Sequence, residues 1–174
     1  MIPMGFVLIG MPGSGKSEIG RRAADRLEKP FIDLDKEIAL KTGRSPGDII
    51  SEEGEPAFRK IETEMLLTYE GNDILLSTGG GIVTIPENQK LLQKIGKIIW
   101  IRRDIETIAN AVSYSNDRPL LKNRTSLDEL WASRKDLYAS WADAIFENSG
   151  NMTESSARLV TFLQSLIDPN DSTD

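Results

Sequence analysis

The chain has 174 residues and a formal charge of −6, a length suited to one folded domain and a balance that disfavours a nucleic acid or an anionic membrane surface as partner. Cysteine and histidine are both absent, which excludes disulfides, thiolate or imidazole metal ligands and histidine-assisted nucleophiles. Carboxylates, lysine, arginine and backbone dipoles remain to carry any chemistry, and they are the groups phosphoryl transfer uses.

The opening MIPMGFVLIG lacks the basic flank of a signal peptide and the length of a membrane span, so a cytoplasmic protein is expected. Its apolar part, GFVLIG, predicts a strand buried on both faces, and FIDLD, DILLST and KIIWI predict three more. Helical patterns fall between them, at 17–27 and at 55–69, the latter with Phe58, Ile61, Met65 and Tyr69 on one face. After KIIWI come a helix over 105–112, a polar loop containing Pro119, a long helix, a short strand at 144–146 and a last helix over 154–167. Strands alternating with helices imply a parallel α/β sheet, and residues 169–174 read as a disordered tail.

Directly after the first strand, Gly10, Gly15, Lys16 and Ser17 fit G-x-x-x-x-G-K-[ST], with a helix following. Glycines let successive N–H groups turn inward as an anion nest, and the helix offers its positive end to the same phosphates. Lys16 supplies a point charge to the outer phosphates, and the Ser17 hydroxyl is a ligand suited to Mg²⁺. The spacing identifies a nucleotide as donor and leaves the acceptor open.

For the acceptor, Asp33 and Asp35 stand two apart at the end of the second strand, where an extended chain would turn both to one side. One would sit near Mg²⁺ and the other near an acceptor hydroxyl; the competing reading makes Asp35 the cap of the next helix. STGGGIV brings three glycines after the third strand, either for close backbone approach to a ligand or as a plain turn. Arg59 has Glu55 and Glu62 within helical reach and reads by itself as a solvated arginine, as does Arg134; Arg102 and Arg103 read as a solvated strand edge. Trp100, Trp131 and Trp141 read as core or interface aromatics.

Taken together, GMPGSGKS, FIDLDKEIALKTGRSPGDII, GEPAFRKIE, STGGGIV, RPLL and SRKDLY occur in the order and approximate spacing of shikimate kinase, and this part of the chain, from Gly5 to about Tyr138, resembles that family. The resemblance implies a nucleoside-monophosphate-kinase-like three-layer α/β/α fold with a five-stranded parallel sheet. It also implies one domain over 1–168, a lid at about 113–124 and a substrate-binding helical region at about 35–62. Its partners would be ATP and shikimate, with Mg²⁺ as cofactor and a monomer expected. It places Gly13, Ser14, Gly15, Lys16, Ser17, Glu18 and Arg118 around ATP, and makes Lys16, Asp35 and Arg118 catalytic. Asp35, Arg59, Gly80, Gly81 and Arg134 would bind shikimate, the two arginines as a clamp on its carboxylate; Ser17 and Asp33 would serve the metal.

Three departures accompany it. Glu18 stands where the family commonly has threonine, and no lysine or arginine occurs between Asp104 and Asp117, where it often has an adenine-stacking arginine. The late adenine-loop motif is not evident in FENSGNMTESS, so that segment is assigned no site. Within enzymes, another small-metabolite P-loop kinase such as a gluconate kinase is the competing reading; outside them, a non-catalytic nucleotide and metabolite binding protein is.

Overall fold

In the computed structural model, which describes residues 5–112 and 120–167, all five expected strands form one parallel sheet in the order β2-β3-β1-β4-β5. They are β1 Gly5–Ile9, β2 Phe31–Asp33, β3 Leu75–Ser77, β4 Gly96–Arg102 and β5 Ala144–Glu147. β1 is central and buried throughout, which is why it reads as an unbroken apolar run.

The period-two alternation of the inner strands divides the core in two. Phe6 and Leu8 of β1, with Ile99 and Ile101 of β4, face α1 (Lys16–Arg26) and α8 (Met152–Ile167) through Ile19, Ala23, Leu159 and Leu163. Val7, Ile9, Ile98 and Trp100 face the other way, against α2 (Leu34–Thr42), α3 (Pro46–Glu53), α4 (Glu55–Leu67), α5 (Glu87–Ile95), α6 (Ile105–Ala111) and α7 (Arg124–Trp141). Burying a Leu or Ile side chain contributes roughly 1.5–3 kcal/mol, so these two apolar faces, more than helix propensity, fix three layers. Trp100 sits in the second face with ring centroids 6.2 Å from Trp131 and 5.8 Å from Tyr138, as core aromatics.

Some elements differ from expectation. α5 is not anticipated by the strand-and-helix pattern, although Leu92 and Ile95, three apart after Pro86, are its buried stripe. α8 begins at Met152 rather than 154, because the Asn151 side chain already accepts from the Glu154 N–H at 2.9 Å. Ser45 caps α3 by accepting from the Asp48 N–H at 3.1 Å, with Pro46 in the first turn, so the region expected to bind substrate contains three short helices. Residues 113–119 of the expected lid, Arg118 and Pro119 among them, and the tail lie outside the described residues. No helix among the described residues is long and apolar enough to cross a membrane.

The parallel order brings the carboxyl ends of β1, β2, β3 and β4 to one edge, and a cleft of roughly 740 Å³ opens there. Among the described residues it is lined by five cationic side chains, Lys16, Lys36, Arg59, Arg103 and Arg134, against Glu18, Asp33 and Asp35. An acidic chain thus concentrates positive charge at one place.

Candidate active site

The donor half of the cleft is the turn from β1 into α1. Gly15 precedes α1 with φ of 88°, a left-handed conformation, and a Cβ there would stand 2.5 Å from the Asn148 amide nitrogen. Asn148 Nδ2 donates to the Ser14 carbonyl at 2.7 Å, and its Oδ1 accepts from the Ser155 hydroxyl. In a trans peptide the carbonyl and the N–H that follows it point in opposite directions within one plane, so this tether turns the Gly15 N–H away from Asn148. Lys16 Nζ donates to the Gly10 and Met11 carbonyls at 2.8 and 2.9 Å, folded onto its own loop. Gly13, Ser17 and Glu18 also line this half.

Two residues here correct the sequence reading. Asn148, in the segment assigned no site, holds the phosphate loop; its signal was a single polar residue directly after a strand. Arg103, read as solvated, is half-buried in the cleft and donates to the Gly13 carbonyl at 3.0 Å, whereas its neighbour Arg102 is exposed and bonded to Glu147.

At the acceptor half, the same-side argument for Asp33 and Asp35 fails because the strand ends between them. β2 stops at Asp33, whose carboxylate caps α2 by accepting from the Lys36 N–H at 3.3 Å, and Asp35 lies in the first turn of that helix. Asp33, not Asp35, is therefore the cap. Both still line the cleft, since a helix starting at a strand's carboxyl end projects its first turn there.

Arg59 and Arg134 are not solvated: they are 6% and 4% exposed. Arg59, on α4, donates to Glu62 at 2.6 Å and to Glu55 at 2.9 Å. Arg134 comes from α7, and one turn on in that helix Tyr138 donates its hydroxyl to the Gly80 carbonyl at 2.5 Å. The glycines after β3 leave room for this: a Cβ on Gly81 would lie 2.1 Å from Arg59 Nη2, and one on Gly80 would lie 2.6 Å from Pro12 of the phosphate loop. A Cβ on Gly79 would meet Glu62 Oε2 at 3.0 Å and Asp35 Oδ1 at 3.1 Å, so the two carboxylates converge beneath that turn.

Glu62 is fully buried, and its Oε2 accepts no hydrogen bond among the described residues. Burial pushes its carboxyl up to about 7, with the charge and hydrogen bond of Arg59 opposing and the charge of Asp35 adding to the rise. For Arg59, burial acts to lower the pKa, but the charge of Glu62 and its hydrogen bonds outweigh it and the guanidinium is raised. Between the unfolded value of 4.5 and about 7 the folded chain binds the extra proton, so the contribution of Glu62 to stability is full below that window and lost as pH rises through it. Glu62→Gln is accordingly expected to gain thermal stability relative to the unsubstituted chain as pH rises from 4.5 to 7, seen as a widening difference in Tm. A difference that stays constant across the window would contradict the raised carboxyl.

A family model described as shikimate kinase matches residues 12–164. The chain belongs to the shikimate kinase family. A shikimate kinase of Enterococcus faecalis is 38% identical over 153 residues, which span 86% of this chain and 91% of that one. The structure of shikimate kinase from Acinetobacter baumannii in complex with shikimate matches with a TM-score of 0.85 at 29% identity, covering 99% of this chain and 97% of that one. A gluconokinase from Sinorhizobium meliloti reaches a TM-score of 0.55 at 13% identity, a likeness of fold alone.

Within this shikimate kinase family member, the oxygens available to a cation can be tested for fit. The Ser17 hydroxyl lies 3.1 Å from that of Ser77, and the Asp33 carboxylate lines the same cleft. Among the described residues, no three acidic side chains are grouped so that they could hold a metal ion by themselves. Hard oxygen donors, too few to enclose an ion, fit Mg²⁺, which keeps waters and takes phosphate oxygens from its nucleotide.

Proposed function

We propose that this protein transfers the γ-phosphoryl group of ATP to the 3-hydroxyl of shikimate, giving shikimate 3-phosphate and ADP. The observation that carries this is the cleft's composition: two buried arginines from separate helices and the Asp35 carboxylate open onto the same space as the phosphate loop. Shikimate is a small ring with a carboxylate at one side and hydroxyls at the other. Guanidinium groups recognise the first by paired hydrogen bonds, and a carboxylate accepts from the second.

In this reading Arg59 and Arg134 clamp the ring carboxylate, and Gly80 and Gly81 let the ring approach the backbone. Asp35 accepts a hydrogen bond from the attacking hydroxyl and takes its proton. That oxygen forms the new bond to the γ-phosphorus as the bridging bond to the β-phosphate breaks, and ADP leaves with the electron pair. Lys16 exchanges its loop carbonyls for phosphate oxygens, and the Gly15 N–H and the start of α1 stabilise the same charge. Ser17 and Asp33 would hold Mg²⁺, which when bound offsets charge on the phosphates. One domain over 1–168, a cytoplasmic monomer, would do this work, with the segment 113–124 as a lid that excludes water and brings Arg118 onto the phosphates.

A coupled ADP assay with shikimate, gluconate and no acceptor tests the choice of acceptor. ADP release is expected to accelerate with shikimate only. Acceleration by gluconate, or equal rates in all three, would overturn the reading.

A further inference from the structure

The cations of the cleft fall into two groups, and their placement gives one of them a role of its own. Arg59 and Arg134 gather around Glu62, which feels the charges of both and of Asp35. Arg103 is at the other end, on the phosphate loop, with Nη1 3.0 Å from the Gly13 carbonyl. It follows β4 and precedes Asp104, the cap of α6; that helix and its C-cap Val112 pack close to the same loop, since a Cβ on Gly13 would fall 2.6 Å from Val112 Cγ2 and 3.2 Å from Ile108 Cγ2. From Asp104 to Asp117 the chain has no lysine or arginine. Among the described residues of the cleft, Arg103 is thus the guanidinium that belongs to the donor half.

Its neighbour shows what the ordinary alternative looks like. Arg102 lies over the Trp100 ring, pairs with Glu147 across the β4–β5 edge and is exposed, so its charge is already answered. Arg103 pairs with no carboxylate among the described residues and is half-buried against a neutral carbonyl. One carbonyl occupies one of a guanidinium's five donors. An unpaired guanidinium beside a loop built to surround phosphates is placed to bind an anion there.

We propose that Arg103 is a nucleotide-binding residue of the donor half: it fixes the Gly13 carbonyl with one N–H and offers its remaining donors to the phosphates of ATP. This rests on the kinase reading. It makes the end of β4, rather than α6, the source of the guanidinium on this side of the nucleotide.

Calorimetric titration of the full chain and of Arg103→Met with ATP·Mg²⁺, with inorganic tripolyphosphate and with shikimate provides the test, since methionine keeps the side chain's bulk and removes its charge. Loss of a charge-assisted hydrogen bond is expected to weaken ATP about tenfold or more, and tripolyphosphate by a similar factor. Shikimate, in the absence of nucleotide, should stay within about twofold. Arg103→Lys retains charge without the fork, and should weaken both phosphate ligands by only about threefold.

Equal ATP affinity in the full chain and in Arg103→Met would overturn the proposal. So would weakened ATP with unchanged tripolyphosphate, which would assign the contact to the base, or a parallel loss of shikimate binding, which would mark a general collapse of the cleft. If Arg103→Met does not fold, Arg103→Lys carries the test, and affinities equal to those of the unsubstituted chain would overturn it. Failure of the kinase reading would be seen separately, as an unsubstituted chain that does not bind ATP·Mg²⁺ at all.

Discussion

Asp35→Asn is expected to lower kcat by about 10²-fold or more while leaving the affinities for both ligands near their original values. The change is nearly isosteric, so the first turn of α2 and the cap from Asp33 should persist. What disappears is the acceptor for the hydroxyl proton and the negative charge that draws that proton off the attacking oxygen. An amide still orients the oxygen but takes no proton, so the loss should fall on kcat more than on KM. Turnover of shikimate by Asp35→Asn at the original rate would remove Asp35 from the reaction.

Arg59→Ala is expected to weaken shikimate by on the order of 10²-fold, since truncating one partner of a desolvated charge pair costs several kcal/mol. ATP binding should be nearly unaffected, because Arg59 lies at the Glu62 end of the cleft and Lys16 and Arg103 on the phosphate loop. A second consequence follows from burial. Removing the guanidinium takes from the fully buried Glu62 its directly bonded charge partner, with only the more distant charge of Arg134 remaining, so the variant should also lose stability. Adding Glu62→Gln relieves that penalty and should restore much of the Tm without restoring shikimate affinity. If the double variant recovered both, the arginine would matter only for packing, and unchanged affinity in the single variant would remove it from the clamp.

Where the sequence was legible, the governing interactions were local. The phosphate loop is a spacing, and the five strands are short apolar runs whose alternation, Phe6 and Leu8 to one side and Val7 and Ile9 to the other, needs no knowledge of the whole. The site's charged groups were harder, because their environment depends on other elements. Arg59 and Glu62 sit three apart on a helix and read as a surface pair; packing of α4 beneath the turn at Gly79 is what buries them. Asp33 and Asp35 are separated by the end of a three-residue strand, a boundary that no periodicity in FIDLD marks. Arg102 and Arg103 are chemically identical and adjacent, yet Arg102, the last residue of β4, turns to Glu147 of β5, and Arg103, just past the strand, turns to Gly13 of the phosphate loop. The family resemblance, and not local reading, implied that Arg59 and Arg134 act as a pair; the structure buries both in one cleft.

The most direct test of the acceptor assignment is ³¹P NMR of the protein with ATP, Mg²⁺ and shikimate. The γ-phosphate signal is expected to be replaced by that of a phosphate monoester coupled to the ring proton at the 3-position, with ADP appearing in equal amount. Release of inorganic phosphate alone, or a γ-phosphate signal that shikimate leaves unchanged, would contradict it.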